Sequence, residues 1–169
     1  MSPQTSPRLR RLEQDARLIA SMFGDSDSVI VEPLGPRPAE RYRVTYNVPS
    51  YWLNKTSNEL KVKKQHIVEI SLPAGYPREK PYCTTENPIW HPNFGAYICI
   101  ADEWMPGQTL ADVIVQIGDL LQYKTYNIRS PLNALAAKFA MDRADEWPLG
   151  DKEIRGPEQK IKIKKPKKK

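Results

Sequence analysis

Sulfur and imidazole are scarce in this chain. Its 169 residues include two cysteines, Cys83 and Cys99, and two histidines, His66 and His91. Two cysteines are too few for a disulfide framework, which points to a reducing, cytoplasmic setting where a free thiol survives and can react. Close Cys-x2-Cys pairs are missing, which argues against a zinc site built from Cys83, His91, Cys99 and His66. So few histidines also argue against a cysteine protease, which needs an imidazole on the nucleophile and a third group to orient it. Nothing in the pattern calls for a metal or other cofactor. No apolar run approaches the length of a membrane span, and Met1 to Arg11 has no apolar stretch resembling a signal peptide. Internal repeats are absent as well. The length suits one domain with tails.

Acidic residues are missing from one region. Residues 160–169 hold seven lysines and no acid, and removing those seven charges from the net +6 leaves −1 for residues 1–159. The basic character therefore belongs to a tail, residues 151–169, expected to be disordered, and the folded unit is expected over residues 1–150. Such a tail can contact nucleic acid or an acidic partner weakly, by neutralising phosphate or carboxylate. No aromatic residue interleaves the lysines, so base stacking is not expected there.

Along the chain, Leu9, Leu12, Ala16, Ile19, Ala20 and Phe23 recur at helical spacing after Ser6 and Pro7. Arg8, Arg10, Arg11 and Arg17 fall largely off that stripe, as a solvated face or as a docking surface for an acidic partner. Strand-like segments follow at 29–34, 41–48, 65–72 and 81–85, alternating well enough for an antiparallel meander with one buried face. Pro49 to Lys64, polar and lysine-containing, reads as a surface insertion. His66 and Cys83 read as packed strand residues. Prolines 77, 81, 88, 92 and 106 then punctuate a long irregular stretch of the kind compact domains keep for function. Regularity returns at Thr109, which with Asp112 forms a capping box ahead of Leu110, Val113, Ile114, Ile117, Leu120 and Leu121. Ser130-Pro131 predicts a last helix carrying Leu132, Leu135, Ala136 and Phe139 and ending near Pro148. The order is helix, strands, long loop, helix, helix, an α+β domain.

The chemistry concentrates in His91-Pro92-Asn93-Phe94-Gly95-Ala96-Tyr97-Ile98-Cys99. A thiol is a strong nucleophile as its thiolate, and a side-chain amide can donate to a developing oxyanion. Cys99 and Asn93 meet those needs if the loop between them folds back. A buried cysteine after a proline turn is the bland alternative.

With Tyr76-Pro77-Arg78-Glu79-Lys80-Pro81, Ile98-Cys99-Ile100, Trp104-Met105-Pro106 followed by Thr109, and Ser130-Pro131-Leu132, this stretch resembles the ubiquitin-conjugating enzymes over roughly residues 7 to 147. The resemblance implies an N-terminal helix, a four-stranded antiparallel meander, a crossover helix and a C-terminal helix. It implies an aminoacyltransferase in which Cys99 carries ubiquitin or a ubiquitin-like protein as a thioester and passes it to a lysine of a protein acceptor. Asn93 would steady the oxyanion or hold the loop, His91 would close the corner, and Ser130 would lie beside the incoming lysine. Trp104 and Pro106 would shape the loop after the cysteine. Arg8, Arg10, Arg11 and Arg17 match the face that contacts the ATP-dependent activating enzyme.

Departures accompany the match. The Asn93–Cys99 loop is two residues shorter than the family's usual spacing, and Arg78 stands where many members present a phenylalanine to ligases. Pro49 to Lys64 replaces a Gly-rich hairpin, and Ile100-Ala101-Asp102 stands where Leu-Asp is more typical. They point to a divergent, bacterial member, with two variants of the reading. One is an ancillary conjugator of antiphage defence acting on a cyclic-oligonucleotide synthase, and the other is a non-catalytic ubiquitin-like-binding module of the same fold, against which Cys99 argues.

Overall fold

A computed structural model describes residues 5–100 and 103–155. Helix α1 spans Pro7–Phe23, with the Ser6 hydroxyl accepting the Leu9 N–H at 3.1 Å and Pro7 in the first turn, where no amide is missed. Its buried face is Leu12, Asp15, Ile19 and Phe23, so the stripe is turned from the expected one and Leu9 is exposed.

Among the described residues six strands follow: β1 Val29–Leu34, β2 Arg41–Tyr46, β3 Ser50–Asn54, β4 Glu59–Lys63, β5 His66–Ser71 and β6 Tyr82–Thr85. The main sheet is antiparallel in the order β1-β2-β5-β6, the expected four-stranded meander. Along β2, Tyr42, Val44 and Tyr46 all point into the core, as the alternation predicts.

The Pro49 to Lys64 segment corrects the sequence reading: it is a second sheet, a hairpin of β3 and β4. Tyr51 faces Val62 and Leu53 faces Leu60 across it, and the Asn54 carboxamide accepts the Thr56 and Ser57 N–H groups in the turn. Lysines hid these strands because they point outward, with Lys63 Nζ lying 3.1 Å from the centre of the Trp52 ring.

Helix α2, Leu110–Leu121, opens with the expected capping box, Thr109 Oγ1 accepting from Asp112 N at 3.0 Å and Asp112 Oδ2 from Thr109 N at 2.9 Å. It lies on the sheet, where Tyr46 donates to the Ile114 carbonyl at 2.8 Å. Helix α3, Ala134–Asp142, begins later than Ser130-Pro131 predicts and ends earlier than Pro148. Asn133 is the cap, because the Leu132 and Asn133 amides both donate to the Pro92 carbonyl and hold the preceding turn out of helical geometry. Leu135, expected on the apolar face, is 71% exposed.

Packing continues beyond residue 150. Ile154 is buried, and Arg155 pairs with Asp112 at 2.8 Å. The lysine run at 160–169 lies outside the described residues, as do Ala101 and Asp102.

Candidate active site

Three anchors place the irregular stretch that carries Cys99. The first is Asp15, buried on α1, whose carboxylate accepts from Tyr76 Oη at 2.5 Å, Arg11 Nε at 3.2 Å and the Leu110 N–H at 3.2 Å. One carboxylate thereby ties α1, the Tyr76-Pro77 turn and the positive N-terminus of α2. Burial and the neighbouring Asp15 together push the Tyr76 phenol well above its usual range. Trp104 Nε1 donates to the Pro77 carbonyl at 2.7 Å, which fixes the loop after the cysteine against the same turn. Sequence reasoning passed over Asp15. Its signal was present, an acid on the 12–15–19–23 apolar stripe and four residues after Arg11.

The second anchor is the His91 corner. The imidazole is fully buried, tilted on Tyr123 with ring centres 4.6 Å apart and edge-on to Phe94 at 5.0 Å. Its Nδ1 accepts the Asn93 N–H at 3.0 Å, which places the ring proton on the buried Nε2. Burial drives its pKa down to about 3, so the ring is neutral at physiological pH. Tyr123 Oη donates to the Trp90 carbonyl just before the corner.

The third anchor is a reciprocal clamp. Asn93 Nδ2 donates to the Asn127 carbonyl and Asn93 Oδ1 accepts the Asn127 N–H, both at 2.9 Å. Asn93 is 2% exposed, and its carbonyl accepts the Cys99 N–H at 2.9 Å, folding the loop back. Ile98 N donates to the Cys83 carbonyl at 2.8 Å, which stitches the loop to β6. Asn127, invisible as a site residue in the sequence, acts through its backbone across 34 positions.

These anchors leave Cys99 half-buried beside a cavity of about 240 Å³ shared with Asn93, Gln116, Leu120, Tyr126 and Asn127. Cys83 is 1% exposed, and burial pushes its thiol up to about 12, which keeps it protonated. Ser130 lies exposed in the turn between Asn127 and the residues bound to Pro92. Cys99 and Asn93 thus share one cavity, His91 sits behind them, and Ser130 lies three residues beyond Asn127, outside the cavity lining.

The four arginines of α1 divide. Arg8 pairs with Glu40 at 2.6 Å and donates to the Pro73 carbonyl, lining a hollow of about 500 Å³ between α1 and the β1–β2 turn. Arg11 is turned inward, onto Asp15, the Tyr76 ring and the carbonyls of Pro106 and Gln108. Arg10 and Arg17 are exposed. Among the described residues, no group of three or more His, Cys, Asp or Glu is placed to hold a metal ion, and no helix is long and apolar enough to cross a membrane.

Comparison with known proteins agrees with this geometry. The family model described as "Ubiquitin-conjugating enzyme" matches residues 62–148. Over 60 residues the chain is 37% identical to a protein of Arabidopsis thaliana, "Ubiquitin-conjugating enzyme E2 27", a match covering 32% of this chain. The aligned stretch spans 31% of that relative's length.

Proposed function

The chain belongs to the ubiquitin-conjugating enzyme family, and we propose that Cys99 carries the C-terminal carboxyl of ubiquitin or a ubiquitin-like protein as a thioester. The single observation that carries the reading is the contrast between the two thiols. Cys99 opens onto a cavity framed by the matched motifs, and Cys83 is sealed in the sheet. The Cys99 thiolate attacks the modifier's thioester on an activating enzyme that has spent ATP, and the modifier changes sulfur. A lysine amine of a protein acceptor then attacks the carbonyl carbon, the C–S bond breaks, and an isopeptide bond remains. Neither step needs a strong base on Cys99, since thiols are intrinsically nucleophilic and exchange at neutral pH.

His91, neutral and buried, holds the corner and moves no proton. Asn93 has one amide N–H committed to Asn127, and its amide has a second. That second N–H donates to the oxyanion when lysine attacks, while the clamp fixes the amide in place. Losing one such donor typically slows a step by about 100- to 1000-fold. Asn93→Ala therefore leaves thioester loading largely intact and slows discharge to lysine, and equal loss of both steps would refute the role. Ser130, exposed between α2 and α3, meets the incoming lysine. Arg10 and Arg17 offer the activating enzyme its cationic contact, with Arg8 beside them, while Arg11 braces α1 from within.

The test is a non-reducing gel of the protein with modifier, activating enzyme and ATP. A shifted band that reductant removes, converted by Cys99→Ser into one that reductant leaves, supports the carrier role. A band unaffected by Cys99→Ser and abolished by Cys83→Ser refutes it.

A further inference from the structure

We propose that the outer edge of the β3–β4 hairpin docks an acidic, extended segment of a partner protein as an added strand; this goes beyond the carrier reading and stands without it. The hydrogen-bond pattern leaves that edge open. The Tyr51 carbonyl accepts the Trp90 N–H at 2.9 Å, on the side of β3 away from β4. Bonding directions alternate along an antiparallel strand, so β3 bonds to β4 through the pairs Ser50–Lys63, Trp52–Lys61 and Asn54–Glu59. Leu60 and Val62 consequently turn their N–H and C=O groups outward. Among the described residues no strand pairs with β4 on that side. Such a row of backbone groups is a template for a further strand.

Charge selects the strand. Residues 50–64 hold four lysines and one acid, a net +3, and removing it from the −1 of residues 1–159 leaves −4 for the rest of that span. Trp52, Lys61 and Lys63 share one face of the hairpin by the alternation of the strands, and Lys55, Lys61 and Lys64 are exposed. Lys61 meets Glu59 at 3.8 Å with both side chains more than half exposed, a pair weak enough to exchange for an incoming carboxylate. Opposite charges facing across strands stabilise and like charges destabilise. A second copy would set these lysines against themselves, whereas alternating glutamates or aspartates would meet them. On the other face Val62, 48% exposed, offers an apolar contact.

Peptide fits the edge better than nucleic acid does. Lys63 Nζ lies 3.1 Å over the Trp52 ring, where a stacking base would sit, and a phosphate backbone has no alternating N–H and C=O row to match β4. The hairpin is also a packed arm. Tyr51 sets its ring edge-on to Tyr123 and Phe139, and Trp52 pairs with Ile89. Ile89 and Trp90 lead straight into the His91 corner, so a segment seated on β4 is held by an arm fastened to the chain that enters that corner.

The experiment titrates the isotope-labelled full chain, at low ionic strength, with a blocked peptide of alternating threonine and glutamate about six residues long. The largest amide shifts should fall on Leu60 and Val62, and exchange of those two amides with solvent should slow. Val62→Pro removes an outward donor and no bond to β3, so the hairpin spectrum should persist while binding weakens about fivefold. Lys61→Glu with Lys63→Glu, which leaves the edge donors in place, should weaken it about tenfold. Shifts confined to residues 160–169, an equal response to a threonine–glutamine peptide, or full binding by Val62→Pro with its hairpin intact overturns the proposal. A stronger response of the hairpin to oligothymidylate overturns it in favour of nucleic acid, and concentration-dependent protection of the Leu60 and Val62 amides without peptide overturns it in favour of a second copy.

Discussion

His91 works in this protein by staying neutral. Its Nδ1 receives the Asn93 amide and its ring fills the space between Phe94 and Tyr123. A protonated ring would lose that acceptor inside a sealed pocket. Burial lowers the pKa of both His91 and His66, so the unfolded chain binds more protons than the folded one below about pH 6.5. Stability therefore falls as pH drops from about 6.5 toward 3, at up to about 1.4 kcal/mol per unit for each imidazole while the fold holds it neutral. Urea melts at a series of pH values check this, with His91→Phe expected to flatten the slope. Asp15 is the other residue on which much depends. Tyr76→Phe, which removes one of its charge-assisted donors, should cost about 1.5–3 kcal/mol in the same melts. That His91, Asn93 and Cys99 lie together was legible in the sequence because their spacing is local. Asn127 was not, because its backbone meets Asn93 only once the fold is made.

At the scale of elements, capping and periodicity carried well. Thr109 and Asp112 cap α2 as their spacing predicts, and Thr109→Ala should cost about 1 kcal/mol, read as a fall of about 2–4 °C in Tm. The β3–β4 hairpin was hidden because its pattern is written in lysines and half-buried aromatics, and its inner contact, Tyr51 against Tyr123, Phe139 and Trp147, joins distant segments. The start of α3 moved from Ser130 to Asn133 for a similar reason: two amides that a helix would have left free are taken by Pro92. The segment after α3 that ends in Ile154 and Arg155 has the clearest single test. Ile154→Ala should cost about 2–5 kcal/mol, since Ile154 is 2% exposed and closes over Gly118.

At the scale of the molecule, the fold is a scaffold that folds one loop back on itself. The sheet supplies Cys83 as a backbone anchor, α1 supplies Asp15, α2 supplies the cavity wall and the α2–α3 turn supplies the clamp. The two thiols thereby differ, one sealed and protonated, the other half-buried beside a cavity. Localising the adduct decides whether that division is functional. After charging with modifier, activating enzyme and ATP, peptide mapping under non-reducing conditions should find the modifier's C-terminus on Cys99 alone of the two thiols. It should also show full charging of Cys83→Ser and none of Cys99→Ala. An adduct on Cys83, or a thioester that survives Cys99→Ala, would contradict the account.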